Sequence, residues 1–92
     1  MTTEEIANAI GDAVRRHASL YARCRLKEVT HSTRPYPDLG MDSMHDVNIA
    51  CEVEVLLGIE LPSDQTMLYE ENRALSIRQS AERIFNFIEA SQ

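Results

Sequence analysis

Asp38–Pro62 reads DLGMDSMHDVNIACEVEVLLGIELP, and its punctuation divides the rest of the chain. Gly40 allows a tight backbone path into a helix expected from Ser43 to Leu57. That helix stops at Gly58, a residue able to take the left-handed conformation of a C-terminal cap, with Ile59 packing back on Val53. Pro62 confirms the break. Turning about 100° per residue puts Ile49, Ala50, Val53 and Leu57 on one side, and Met44, Val47, Cys51 and Val55 nearly opposite. Only one of these faces can line a small core; the first is assigned to it. The second stays outside, flanked by Asn48 and Glu54, as a strip of apolar surface that costs solubility unless something binds it. Ser43 falls at the helix start, where free backbone N–H groups and the macrodipole favour a negative group. Leu39 pins the entry to the core and holds Ser43 outward. By helix signals alone, Ser43 or Asp42 is the N-cap.

Upstream, Thr2 and Glu5 have the spacing of a capping box. Ile6, Ala9, Ile10, Ala13, His17, Leu20, Tyr21 and Cys24 then share one helical face. His17, inside that stripe, reads as a partly buried, hydrogen-bonded side chain without chemistry. From about Arg25 to Asp38 the periodicity fades, and Pro35-Tyr36-Pro37 predicts an extended backbone closed to helix. Downstream, a short third helix is expected from Asp64 to about Asn72 with Met67 and Leu68 inward. A last helix follows the Ser76 and Gln79 capping pair, with Ile77, Ala81, Ile84, Phe85 and Ile88 on its apolar face. The fold class is all-α: a small four-helix bundle with a long first loop, one domain over residues 1–92.

The 92 residues are 43% hydrophobic, enough for a modest core but not for a large buried active site. Cys24 and Cys51 form no CxxC pair, so neither a disulfide framework nor a zinc site is expected. The opening residues contain no unbroken apolar run; a cytoplasmic chain without secretory signal or membrane insertion is expected. A net charge of −6 disfavours nucleic acid and anionic membranes as partners. Before Asp38 there are six basic residues against four acidic ones, and afterwards three against eleven, so the halves carry +2 and −8. A basic partner surface is the natural complement of the second half. Arg15, Arg16, Arg23, Arg25 and Lys27 read as a solvated face.

Asp38-Leu39-Gly40-Met41-Asp42-Ser43-Met44, followed by an acidic amphipathic helix closing in Gly58-Ile59-Glu60-Leu61-Pro62, resembles the acyl carrier proteins. The resemblance is clear over about a quarter of the chain and rests on pattern alone before Asp38. It implies that Ser43 bears 4′-phosphopantetheine and that Asp42 belongs to the attachment motif. A phosphopantetheinyl transferase, using coenzyme A and a divalent metal ion, would install the arm. Acyl-loading and acyl-processing enzymes of fatty acid, polyketide or specialised lipid pathways would then use it. Met44, Val47, Asn48, Cys51, Glu54 and Val55 would meet those partners, and the chain would be a monomeric shuttle, not an enzyme. His45, Asn48 and Val55 interrupt the acidic series usual in fatty acid synthesis, and the loops are longer than in minimal members, which points to a specialised pathway.

Other readings stay open at this stage. An aminoacyl or peptidyl carrier would share the arm, although Asp42 before Ser43 favours the acyl side. A helical interaction domain could keep the shape without the arm. A nucleophilic Ser43 is disfavoured, since no G-x-S-x-G elbow is present and His45 points to another side of the helix. Asp38, Asp42 and Asp46 are regularly spaced and read as exposed carboxylates, but only the last two can share a helix face, so weak divalent binding there would be incidental.

Overall fold

The computed structural model describes residues 1–21, 28–62 and 66–91. The chain is mostly helical, with α1 (Thr3–Leu20), α2 (Pro35–Leu39), α3 (Ser43–Leu57) and α4 (Ile77–Ala90). A two-stranded sheet, β1 (Tyr69–Glu70) and β2 (Arg73–Ala74), lies between α3 and α4 in the chain.

Both expected capping boxes form. Thr2 Oγ1 accepts the Glu5 N–H at 3.1 Å while Glu5 Oε1 accepts the Thr2 N–H at 3.0 Å, and Ser76 and Gln79 exchange the same pair at 3.1 and 2.9 Å. The bonds from Thr2 hold the Glu5 carboxyl below its ordinary range. The buried stripe of α1 starts as expected with Ile6, Ile10 and Ala13, then follows four-residue steps to Val14 and Ala18. Leu20, by contrast, is 75% exposed and Tyr21 is exposed. Tyr21 is the extended C-cap, so the helical phase ends before it, and Leu20, still in the last turn, lies off the Ile10–Val14–Ala18 row that α1 buries. Arg23, Cys24, Arg25 and Lys27 lie outside the described residues. α1 packs against both α3 and α4 and so forms the centre of the core.

Residues 28–34 are an ordered connection. Their carbonyls at Thr33 and His31 accept the Ile77 and Arg78 N–H groups at 2.9 Å each, serving the first turn of α4, whose donors have no partner within the helix. Arg15 of α1 donates to the Val29 carbonyl at 3.0 Å, and His31 lies between Asn8 of α1 and Arg78 of α4, 3.0 Å from each.

Two expectations are corrected here. Pro35-Tyr36-Pro37 is not extended but opens α2. Its prolines fall in the first turn, where a helix has no internal use for their missing N–H groups. The turn closes when the Gly40 and Met41 N–H groups reach back to the Tyr36 and Pro35 carbonyls, with Gly40 left-handed at φ 72°. The expected third helix is replaced by the hairpin, at least from Tyr69 onward; Asp64 lies outside the described residues. Tyr69 pairs with Ala74 and Glu70 with Arg73 around Glu71 and Asn72, both at positive φ (47° and 62°). A two-residue turn of that handedness matches the twist of a hairpin and cannot belong to a right-handed helix. Met67 and Leu68 are nevertheless buried, as expected.

Candidate functional site

α3 has the limits its sequence predicts, and its start resolves the choice of cap. Asp42 is the N-cap: its Oδ1 accepts the Met44 and His45 N–H groups at 3.0 and 3.2 Å. The His45 N–H, more than any other influence, holds the Asp42 carboxyl below its ordinary range. Ser43 is therefore the first helical residue, exposed, and its hydroxyl has no hydrogen-bond partner among the described residues. Free N–H groups were expected to welcome an anion there, but the two best placed already serve Asp42. A phosphodiester on Ser43 would feel the helix dipole and point into solvent, beside the Asp42 carboxylate and outside any cradle.

His45 is buried, away from Ser43 as expected. Its Nδ1 lies 3.2 Å from the Asp42 backbone nitrogen and 2.9 Å from Asp42 Oδ1, which puts histidine in the place that glutamate or glutamine holds in an ordinary capping box. Its ring stands perpendicular to that of Tyr21 with centroids 5.0 Å apart, and Tyr21 stacks on His17 with centroids 6.0 Å apart. Thus the end of α1 braces the start of α3. His17 Nε2 stands 3.5 Å from Glu52, whereas its buried Nδ1 has no partner among the described residues.

Asp46 departs most from its expected place among exposed acids. It is fully buried. Its carboxylate accepts the Met67 N–H at 2.7 Å, the Leu68 N–H at 3.0 Å and the Tyr36 hydroxyl at 2.9 Å. One side chain of α3 thereby ties down α2 and the segment leading into β1. Burial, and next the bond to Asp46, push the Tyr36 hydroxyl above its ordinary range. The signal was present in sequence: Asp46 is in phase with Ile49, Val53 and Leu57, on the core face. No group of three metal-ligating side chains occurs among the described residues.

The remaining acids of α3 are also engaged. Glu52 pairs with Arg16, and Glu54 Oε2 accepts the Leu61 N–H at 2.9 Å, closing the chain behind Gly58. Val53 and Ile49 are buried, while Met44, Val47 and Val55 are 74%, 57% and 82% exposed and Cys51 is exposed. Of the expected partner residues, Met44, Val47, Asn48, Cys51 and Val55 lie on the open side, and the half-buried Glu54 is occupied within the chain. Leu56 is also exposed. No helix among the described residues is long and apolar enough to cross a membrane.

Comparison of the chain with protein-family models, curated proteins and solved structures gives no match.

Proposed function

We propose that the chain is an acyl carrier protein with the small helical bundle of that family, whose Ser43 receives 4′-phosphopantetheine. The observation that carries this reading is the position of Ser43. It is an exposed serine with an unengaged hydroxyl, first in a helix already capped by its neighbour Asp42, inside the D-L-G-x-D-S motif. The hydroxyl is therefore not needed by the fold and is open to modification. Asp46, Tyr36 and the Tyr21–His45 contact fix the surrounding backbone, so the attachment point sits on a rigid support. In the transfer, the bond from Ser43 Oγ to phosphorus forms as the pyrophosphate of coenzyme A breaks. The nucleotide half leaves, and the hydroxyl proton passes to the transferase. The thiol of the arm then supplies thioester chemistry, and its tether keeps cargo at high effective concentration beside a docked enzyme.

Intact-mass measurement after incubation with coenzyme A and a broad-specificity phosphopantetheinyl transferase tests the assignment. The wild type should gain one phosphopantetheine, and Ser43→Ala none, with helicity retained because Asp42 supplies the cap. An unmodified wild type, or an arm on the Ser43→Ala protein, would sink the reading. The mass of the cargo on protein from cells separates acyl from aminoacyl carriers.

A further inference from the structure

A capping box needs an acceptor for the N-cap N–H in the first turn of the helix, and glutamate or glutamine supplies an oxygen for it. α3 supplies a ring nitrogen instead, and a ring nitrogen can also carry a proton. His45 Nδ1 lies 3.2 Å from the Asp42 backbone nitrogen and 2.9 Å from Asp42 Oδ1. The two contacts exclude each other. Accepting the Asp42 N–H takes a bare Nδ1, whereas donating to Oδ1 takes a proton on it. In the neutral ring the bare form is favoured: Oδ1 already accepts the Met44 and His45 N–H groups, while the Asp42 N–H has no other acceptor among the described residues. Protonation reverses the balance, because a bond from imidazolium to carboxylate is roughly twice as strong as the neutral bond it replaces.

The surroundings let the proton move while the ring stays. The His45 side chain is 11% exposed against 62% for Asp42, and the Tyr21 ring of α1 stands against it. Behind Tyr21, His17 faces Glu52, which pairs with Arg16. Next in the chain, the Asp46 carboxylate is taken up by Tyr36 of α2 and by the Met67 and Leu68 N–H groups. Asp42 itself is charged across neutral pH, since the His45 N–H holds its carboxyl below the ordinary range. We infer that His45 is a proton-driven switch in the cap of α3: neutral, it holds the Asp42 backbone; protonated, it pairs with the Asp42 carboxylate and cancels the charge beside Ser43. The coupling is reciprocal, so a negative group placed on Ser43 must strengthen the hold of His45 on its proton. The phosphodiester of the proposed arm is such a group. Its attachment would draw a proton from solvent onto His45 and relieve the repulsion between the arm and Asp42. The switch stands without the carrier reading; this last consequence rests on it.

The test follows the imidazole nitrogen and backbone amide shifts of the full chain by NMR from about pH 5 to 8.5, a range that spans imidazole titration. Neutral His45 should carry no proton on Nδ1, and the Asp42 amide should move with the same midpoint as the ring. In His45→Gln, whose side-chain oxygen accepts the Asp42 N–H at every pH, that movement should vanish. The His45 midpoint should fall by about 0.5 in Asp42→Asn, which keeps a good cap without the charge, and rise by about 0.5 in Ser43→Asp. Protein loaded with the arm should match Ser43→Asp. A neutral His45 protonated on Nδ1, an Asp42 amide that ignores the ring, or a midpoint unmoved in either variant or in the loaded protein overturns the inference. The carrier reading survives each of these, because none prevents attachment to Ser43. A wild type that accepts no arm removes the carrier reading and leaves the switch to be decided by Asp42→Asn and Ser43→Asp.

Discussion

Asp46 shows how one residue can be misread from its type and understood from its phase. A carboxylate is costly to bury unless donors replace its water, and here two backbone N–H groups and a phenol do so. Asp46→Ala would leave the Met67 and Leu68 donors buried and unpaired, each worth about 1–3 kcal/mol, so a loss of about 2–5 kcal/mol is expected in denaturant titration. Asp46→Asn keeps one acceptor oxygen and should lose less; Tyr36→Phe should cost about 1 kcal/mol. A loss below about 1 kcal/mol for Asp46→Ala would mean that the segment before β1 is anchored elsewhere. Ser43 and Asp42 present the opposite case. Their motif was legible, but which of the two caps the helix depends on backbone conformation, and the extended φ of −131° at Asp42 settles it. The tie of Glu54 to Leu61 was not legible, because it depends on how the chain folds back after Gly58.

Among the elements, α3 was readable to the residue and α4 at its start and along its apolar face, since each carries its own start signal and apolar phase. α3 also carries its own stop. The two failures share a cause. Pro35-Tyr36-Pro37 opposes a helix interior but not a first turn, and where a turn begins is decided by Asp38, whose carboxylate accepts the Arg34 N–H at 2.8 Å, and by Gly40. Between Met67 and Ala74, Met67 and Leu68 point inward in a helix and in an extended chain alike, so burial alone could not choose. What decides is the left-handed pair Glu71 and Asn72, which lacks the glycine that usually announces such a turn. Glu71→Asn provides a test with opposite signs. In the hairpin, asparagine tolerates the left-handed region better than glutamate and should stabilise the protein by about 0.5–1 kcal/mol. In a helix the same change lowers propensity and should destabilise it. A fall in melting temperature for Glu71→Asn would count against the turn.

At the scale of the whole molecule, the decisive arrangement is that α3 and α4 both pack on α1. Composition foretold a modest aliphatic core, and the buried cluster is built from Ile, Val, Leu, Met and Ala drawn from every helix. Which helix lies at the centre could not be read, because α1 and α4 both have a strong apolar face and nothing local ranks them. The long connection then closes the arrangement by lending its carbonyls to α4 and accepting Arg15 from α1. Centrality has a consequence for cooperativity. Ile10 is fully buried midway along α1, and Ile10→Asp would place an unpaired charge where both neighbours need apolar contact. The expected result is loss of nearly all helical circular dichroism, not merely the share of α1, because neither α3 nor α4 is long enough to be stable alone in water. In the wild type the chain has no tryptophan, so tyrosine fluorescence reports on Tyr21, Tyr36 and Tyr69, of which Tyr36 and Tyr69 have ring centroids 5.0 Å apart and Tyr36 donates to Asp46. Thermal unfolding followed by that signal and by helical circular dichroism should give one midpoint. Separate midpoints, or an Ile10→Asp protein that keeps the dichroism of α3 and α4, would show that the segment around Ser43 holds its shape without α1.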